Sequence, residues 1–364
     1  MNPTSSRMAD LSPPFAWWVV GMLALALVTS LWFAQQAAPI DAQPAAQAQS
    51  TDPKQDEDLL LYERIISRVA AGTDYHEAAI TEQRNANYPV RPFVTIRLPT
   101  LAVMIAYLGF PAAQMLVMSI AGAALLAWRH RLLSAGCARS RAMVLVLILA
   151  SGLTPVATRH YVTLHEIWAG ALIALSLGLH SPKSWFPSLL VAAVALAVRE
   201  LTVPFVLLML AVAAYARRYS EMAAWALLLL CYGIALAAHA DAISALVGSH
   251  DPLSPPWVQF GGLGAAFDFA WKTSLFRGLS PFLAFPLITL SLFGWLSWRS
   301  ETGMISSLLI LGYLLAFALT GRSNNFYWGL MIAPLLAVGL GFVVPALSDL
   351  SRVLRAPKLD SSPV

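Results

Sequence analysis

Charge is scarce in this sequence. Only 12% of the residues are charged while 58% are apolar; soluble globular domains carry about 25% charged residues. That balance excludes an ordinary water-soluble domain. Cysteine is scarcer still. Cys137 and Cys231 lie far apart in different apolar contexts, so neither a disulfide framework nor a cysteine metal site has anything to build on. A glycine-rich phosphate loop and an internal repeat are both missing, which argues against an ATP-driven pump. The net charge of +4 implies no nucleic-acid partner. The basic residues sit in short clusters between apolar runs, where the orientation of membrane loops explains them.

The apolar residues gather in runs of the length a membrane span needs, roughly 20 residues and about 17 at the short end. Ten such runs fall at 15–34, 111–128, 142–158, 163–180, 186–198, 201–215, 222–238, 275–298, 304–320 and 327–346. The expected fold is therefore all-α, a polytopic transmembrane helical bundle of about ten spans. The first run follows Arg7 and precedes small residues, as a signal peptide would. It exceeds a signal h-region of about 7–15 residues and reads better as an uncleaved anchor. Residues 186–215 read as one steeply tilted helix or as two short ones; two keep Arg199 and Glu200 out of mid-bilayer. The Lys/Arg bias puts both termini inside. It divides the chain into a cytoplasmic N-terminus and first span (1–34), an extracytoplasmic loop (35–110), a transmembrane bundle (111–347) and a cytoplasmic tail (348–364). A second outer loop is expected over 239–274.

The first loop has its own pattern. Residues 37–54, rich in Ala, Gln and Pro, read as a linker. From Asp56, the residues Leu59, Leu61, Tyr62, Ile65, Ile66 and Val69 share one side of a helical wheel, with Glu63, Arg64, Ser67 and Arg68 mostly opposite. This predicts an amphipathic helix ending at Gly72 and lying along the membrane surface. A second short helix is expected over His76 to Arg84. Pro89, Pro92 and Pro99 then interrupt the chain, and 101–110 reads as a re-entrant or interfacial helix.

Ionisable groups at mid-span cost about 2.5–3.5 kcal/mol on insertion scales, so polar residues at span ends carry information. Arg97, Arg159, His160, Tyr161, His165, Glu166, Arg199, Glu200, Arg322, Asn324 and Asn325 converge on the outer side, together with Asp56, Glu57 and Asp58. Each has a plainer reading as well. Arg97 and Arg322 serve as headgroup anchors, Arg199–Glu200 as a structural ion pair, and the acids as helix caps. Trp257, Trp271 and Trp328 suit an interfacial aromatic belt. Asp58 departs from the capping reading, because it lies amid the apolar face of its helix, between Leu61 and Tyr62.

An acid cluster opening a large first outer loop, Asp58-Leu-Leu-Leu-Tyr62 on an amphipathic helix, Gly72 and Tyr75, then Tyr88-Pro89 and Arg97-Leu98-Pro99 before the second span: this layout resembles the GT-C superfamily of polytopic glycosyltransferases. Leu164-His165-Glu166-Ile167-Trp168 and Val198-Arg199-Glu200-Leu201 look like the polar span ends of bacterial members. The resemblance covers about residues 14–345, mostly by layout. It implies transfer of a sugar from a polyprenyl-phosphate donor to a lipid, glycan or protein acceptor at the periplasmic face of a bacterial inner membrane. It assigns the base role to Asp58, with Asp56, Glu57 and Glu166 as further catalytic candidates. Substrate contacts then fall to Arg199, Glu200, Arg159, His165, Tyr62, Arg97, Arg322 and Asn325. No cofactor follows from it, and a divalent metal is left open because members differ. Membrane lipids are expected neighbours. The rival readings are a transporter or flippase for a lipid-linked glycan and a non-catalytic assembly subunit.

Overall fold

The computed structural model describes residues 6–37, 53–256 and 258–355. Most of the expected linker, Trp257 and the tail beyond Arg355 lie outside these residues, as do the side chains of Asp56 and Asn324. Among the described residues the fold is all-α, 81% helix without strands. The helices are α1 (Pro13–Gln36), α2 (Pro53–Ala70), α3 (Tyr75–Asn85), α4 (Pro99–Leu108), α5 (Phe110–Ser134), α6 (Arg139–Gly152), α7 (His165–Leu179) and α8 (Phe186–Val198). They continue with α9 (Val203–Tyr215), α10 (Tyr219–Ser244), α11 (Gly262–Thr273), α12 (Pro281–Ser297), α13 (Glu301–Thr320), α14 (Ala333–Leu336) and α15 (Val343–Arg355).

Five segments are long and apolar enough to cross a membrane: α1, α5, α10, α13 and Ala333–Arg355, which joins α14 to α15. The sequence predicts ten. The other runs form shorter helices of 13 to 17 residues in α7, α8, α9 and α12. At 1.5 Å per residue these are about 20–26 Å long, against a hydrocarbon core of about 30 Å. Prolines stand in the first turns of α8, α9 and α12. Lacking an N–H and clashing with the preceding turn, they set where a helix starts. The run at 142–158 yields only α6 before a 3-10 turn at Thr154–Ala157. The run at 327–346 is likewise not one helix: 3-10 stretches at Ser323–Met331 and Ala337–Phe342 flank the short α14.

Helix α7 is the axis of the bundle, with every residue from His165 to Gly178 buried. Gly170 lets the backbone of the 323–331 stretch come against it, since a Cβ there would overlap the Leu330 carbonyl. Helices α1, α5 and α10 are peripheral and turn large apolar side chains outward, among them Trp17, Leu25, Leu126, Leu230 and Ile234. Such faces suit lipid rather than water.

Residues 53–108 form helices α2, α3 and α4. Asp74 caps α3 by accepting from the backbone N–H groups of His76 and Glu77 at 2.8 and 3.2 Å, satisfying two of the orphan donors of a helix start. Gly109, at φ 78°, takes a left-handed turn that other residues resist, and so separates α4 from α5. The apolar face of α2 does not lie free on a membrane. Leu59, Leu61, Ile65 and Ile66 are buried, and α2 packs on α3 and α4. The second loop also differs from expectation, because it contains α11, whose Phe269, Ala270 and Trp271 are core residues.

Candidate functional site

The end of the bundle covered by α2 and α3 carries a chain of polar contacts that runs from this loop layer into the core. It starts at the helix break near Arg199, where the backbone is extended (φ −147°, ψ 118°) between α8 and α9. The break turns Arg199 inward, and its side chain is 0% exposed. Its Nη2 lies 2.7 Å from Glu166 Oε1, in the first turn of α7, and its Nη1 pairs with Glu200 Oε1. Removing a guanidinium from water costs several kcal/mol unless carboxylates replace the lost hydration; two do so here. The chain closes behind them with Thr202 Oγ1 donating to the Ala195 carbonyl at 3.1 Å and Tyr313 to the Leu201 carbonyl at 2.6 Å.

Glu200 then bridges outward. Its Oε1 lies 3.3 Å from Arg97 Nη1, on a side chain 11% exposed. Arg97 Nε donates to the Tyr62 hydroxyl at 3.2 Å, and its carbonyl accepts from the Tyr75 hydroxyl at 2.7 Å. Burial opposes the charge on Arg97, but Tyr62 and Glu200 hold its pKa well above the ordinary value, so it stays cationic. Burial, with Tyr62 nearby, also raises the Tyr75 hydroxyl above the usual tyrosine value, so it stays a donor.

Asp58, half-buried on α2, lies within electrostatic reach of Tyr62. It accepts a hydrogen bond from the Tyr88 hydroxyl at 2.5 Å. Burial first, then that bond and the Asp58 charge, raise the Tyr88 pKa, which keeps the proton on the phenol. Tyr327 completes the group, within electrostatic reach of Arg97, Tyr62, Glu166 and Asp58. Asn325 is buried two residues earlier in the same 3-10 stretch.

His165 is the unusual member. Its ring is 3% exposed and meets the Tyr62 ring edge-on at 5.2 Å between centroids. No side chain among the described residues hydrogen-bonds either ring nitrogen, which leaves the Thr163 backbone as its partner, and Arg199 Nε has no hydrogen-bond partner among them. Buried polar groups are paired in the great majority of cases, and this imidazole, held beside Arg97 and Arg199, has no side-chain partner among the described residues.

The structure thus unites Asp58, Tyr62, Arg97, His165, Glu166, Arg199 and Glu200, and it separates three other candidates. Glu57 is exposed to solvent. Arg159 lies in a separate open cavity of about 370 Å³ with Glu63, Ser67, Phe110 and His160. Arg322 clasps the second loop, with its Nη2 3.3 Å from Ser254 Oγ and 2.9 Å from the Pro256 carbonyl. Sequence reasoning passed over Tyr327 and the hydroxyl of Tyr88. Tyr88 stands in the interrupted stretch before Pro89, but nothing in spacing marks Tyr327, which reads as one more apolar residue at a span end.

A second cavity, of about 430 Å³, opens between α4, α8 and α10 and is lined mainly by apolar residues such as Leu98, Leu196, Leu228 and Ala235. His76 and His239 stand at its wall, with His76 Nε2 3.1 Å from His239 Nδ1. Among the described residues no three His, Cys, Asp or Glu side chains come together as metal ligands. Comparison with known protein families, with curated proteins and with solved structures finds no match for this chain.

Proposed function

We propose that the chain is a membrane glycosyltransferase of the GT-C type, with ten spans and an active site on the extracytoplasmic side, drawing on a polyprenyl-phosphate sugar. The observation that carries this reading is the polar chain Tyr62–Arg97–Glu200–Arg199–Glu166, with the Asp58 carboxylate within electrostatic reach of Tyr62 and the His165 imidazole buried beside it. Asp58 takes the proton of the acceptor hydroxyl as that oxygen attacks the anomeric carbon. The bond from that carbon to the phosphate oxygen breaks, and the phosphate leaves with its electron pair. Arg97 is the guanidinium with an open side, so it suits an incoming phosphate better than Arg199, which two carboxylates enclose. Arg199 instead holds α7 to the α8–α9 break. Because phosphate is already a competent leaving group, positioning and electrostatics do most of the work.

Purified protein offered a panel of polyprenyl-phosphate sugars should release sugar from one of them. Asp58→Asn should lower that rate by about 10²–10⁴-fold with folding and donor binding kept. Full activity in Asp58→Asn removes the base from this position. Orientation is tested separately: single cysteines at 58 and 249 should react with an impermeant reagent in intact cells, and Cys137 should not. The apolar groove between α4, α8 and α10 favours one second reading, a flippase for a lipid-linked glycan. It gains if proteoliposomes move such a lipid across the bilayer while no sugar is released.

A further inference from the structure

Beside the polar chain lies a smaller cavity, of about 190 Å³, which none of the roles above uses. It is framed by the end of α6, the start of α7, the end of α11 with the 3-10 turn Leu275–Gly278, and the 323–331 stretch. Two cations and no carboxylate line it: Lys272 in the last turn of α11 and Arg277 in the following turn. Lys272 pairs with Asp268 one turn back at 2.8 Å and stands 5.9 Å over the Phe326 ring. Arg277 makes no ion pair among the described residues and is exposed. Tyr161 and Tyr327 add phenols to the wall, while Thr154 and Thr273 donate their hydroxyls to the Ser151 and Phe269 carbonyls at 2.9 and 2.8 Å. Leu164, Ile167 and Leu330 make the remainder apolar.

We propose that this cavity binds the phosphate group of an amphiphile, with Arg277 and Lys272 supplying the charge and the apolar wall taking the start of its chain. Three features point to phosphate. Arg277 brings a positive charge that no ion pair among the described residues offsets, with Lys272 and its partner Asp268 beside it; the planar fork of Arg277 suits phosphate oxygens; and the phenols of Tyr161 and Tyr327 stand in the wall. The apolar half of the wall favours a lipid-borne phosphate over the free ion. Tyr327 belongs to both this wall and the polar chain, so an occupant here adjoins the site described above. The proposal stands without glycosyl transfer, because binding is read directly.

The test uses the full chain in maltoside micelles, titrated with dodecyl phosphate, inorganic phosphate and dodecanol, and read by the shift in thermal unfolding temperature. Dodecyl phosphate should stabilise the protein, and dodecanol should not. The double variant Lys272→Gln/Arg277→Gln should weaken the phosphate amphiphile by about ten- to a hundredfold, and added salt should weaken it in the wild type. Lys183→Gln, an exposed cation beyond the far end of α7, should bind as wild type. Arg277 has no partner to lose and Asp268 is partly exposed, so the double variant should fold; its unliganded unfolding temperature checks this. Inorganic phosphate binding that is lost in the same variant supports the site with a free ion as its source. Unchanged binding in a folded double variant, loss in Arg159→Gln instead, or no binding of either phosphate by wild type overturns the proposal.

Discussion

The bundle buries ionic clusters at both ends, and the two are alike in chemistry but different in setting. At the loop-covered end, Arg199 lies between Glu166 and Glu200, and the chain of contacts continues through Arg97 and Tyr62 toward Asp58. At the other end, His180 Nε2 meets Glu221 Oε1 at 2.8 Å, with exposures of 2% and 0%. Trp225 Nε1 donates to the same carboxylate at 3.2 Å. Arg218 holds Glu221 at 2.6 Å and forks onto Glu301 at 2.9 and 2.7 Å. These contacts tie the end of α7 to the starts of α10 and α13. No residue of this second cluster lines any of the three cavities described above. A buried ion network is therefore not by itself a sign of chemistry, since helix ends need such clamps wherever they meet in an apolar medium. What distinguishes the first cluster is its surroundings: the Asp58 carboxylate within electrostatic reach of Tyr62, a buried imidazole with no side-chain hydrogen bond among the described residues, and cavities alongside.

The largest effect should come from breaking the clamps themselves. Arg199→Met leaves Glu166 without its cation and Glu200 with Arg97 alone, and should destabilise the protein by about 3–5 kcal/mol, measured by unfolding in detergent. If it unfolds like wild type, the two ends differ more than their chemistry implies. Glu221→Gln sharpens the contrast. Arg218 keeps its fork onto Glu301, so the loss should be smaller, about 1–3 kcal/mol. Sugar release should be unchanged, and a fall in turnover at equal folded fraction would give the second cluster a part in the reaction.

Smaller still is Tyr88→Phe, which removes the donor to Asp58. About 1 kcal/mol of stability should go, and turnover should fall through misplacement of Asp58 while the unfolding temperature changes little. The smallest effect concerns the loop staple at Asp251. Arg84 forks onto it at 2.7 Å through both nitrogens, and the Gly248 N–H adds a bond at 2.8 Å. The Arg84 hydrogen bonds, then that of Gly248, depress its pKa to about 2, below an unfolded value of about 3.9. The staple's contribution is therefore full above that unfolded value and is lost as pH falls through about 2. Asp251→Asn should flatten this part of the acid unfolding profile. An identical profile in the variant removes the staple from the loop's stability.

The sequence alone determined the long apolar runs, the all-helical class, the amphipathic α2 and the place of Asp58 among apolar neighbours, and it left open whether 186–215 is one helix or two. These are local properties: helical period, hydropathy over a window, and the cost of a charge in a bilayer can each be read within some twenty residues. Helix length was already less legible, because a proline or glycine ends a helix inside an apolar run without changing its hydropathy. Tertiary structure alone decided which charges meet. Arg97 finds Glu200 across 103 positions and Tyr88 finds Asp58 across 30, while Arg159 and Arg322, equally suggestive in sequence, go elsewhere. It also decided that Lys272 and Arg277 share a cavity and that Glu221 is sealed at the far end. The reason is energetic. A buried charge persists only where a partner replaces its hydration, and that partner is chosen by packing in three dimensions, which no spacing along the chain encodes.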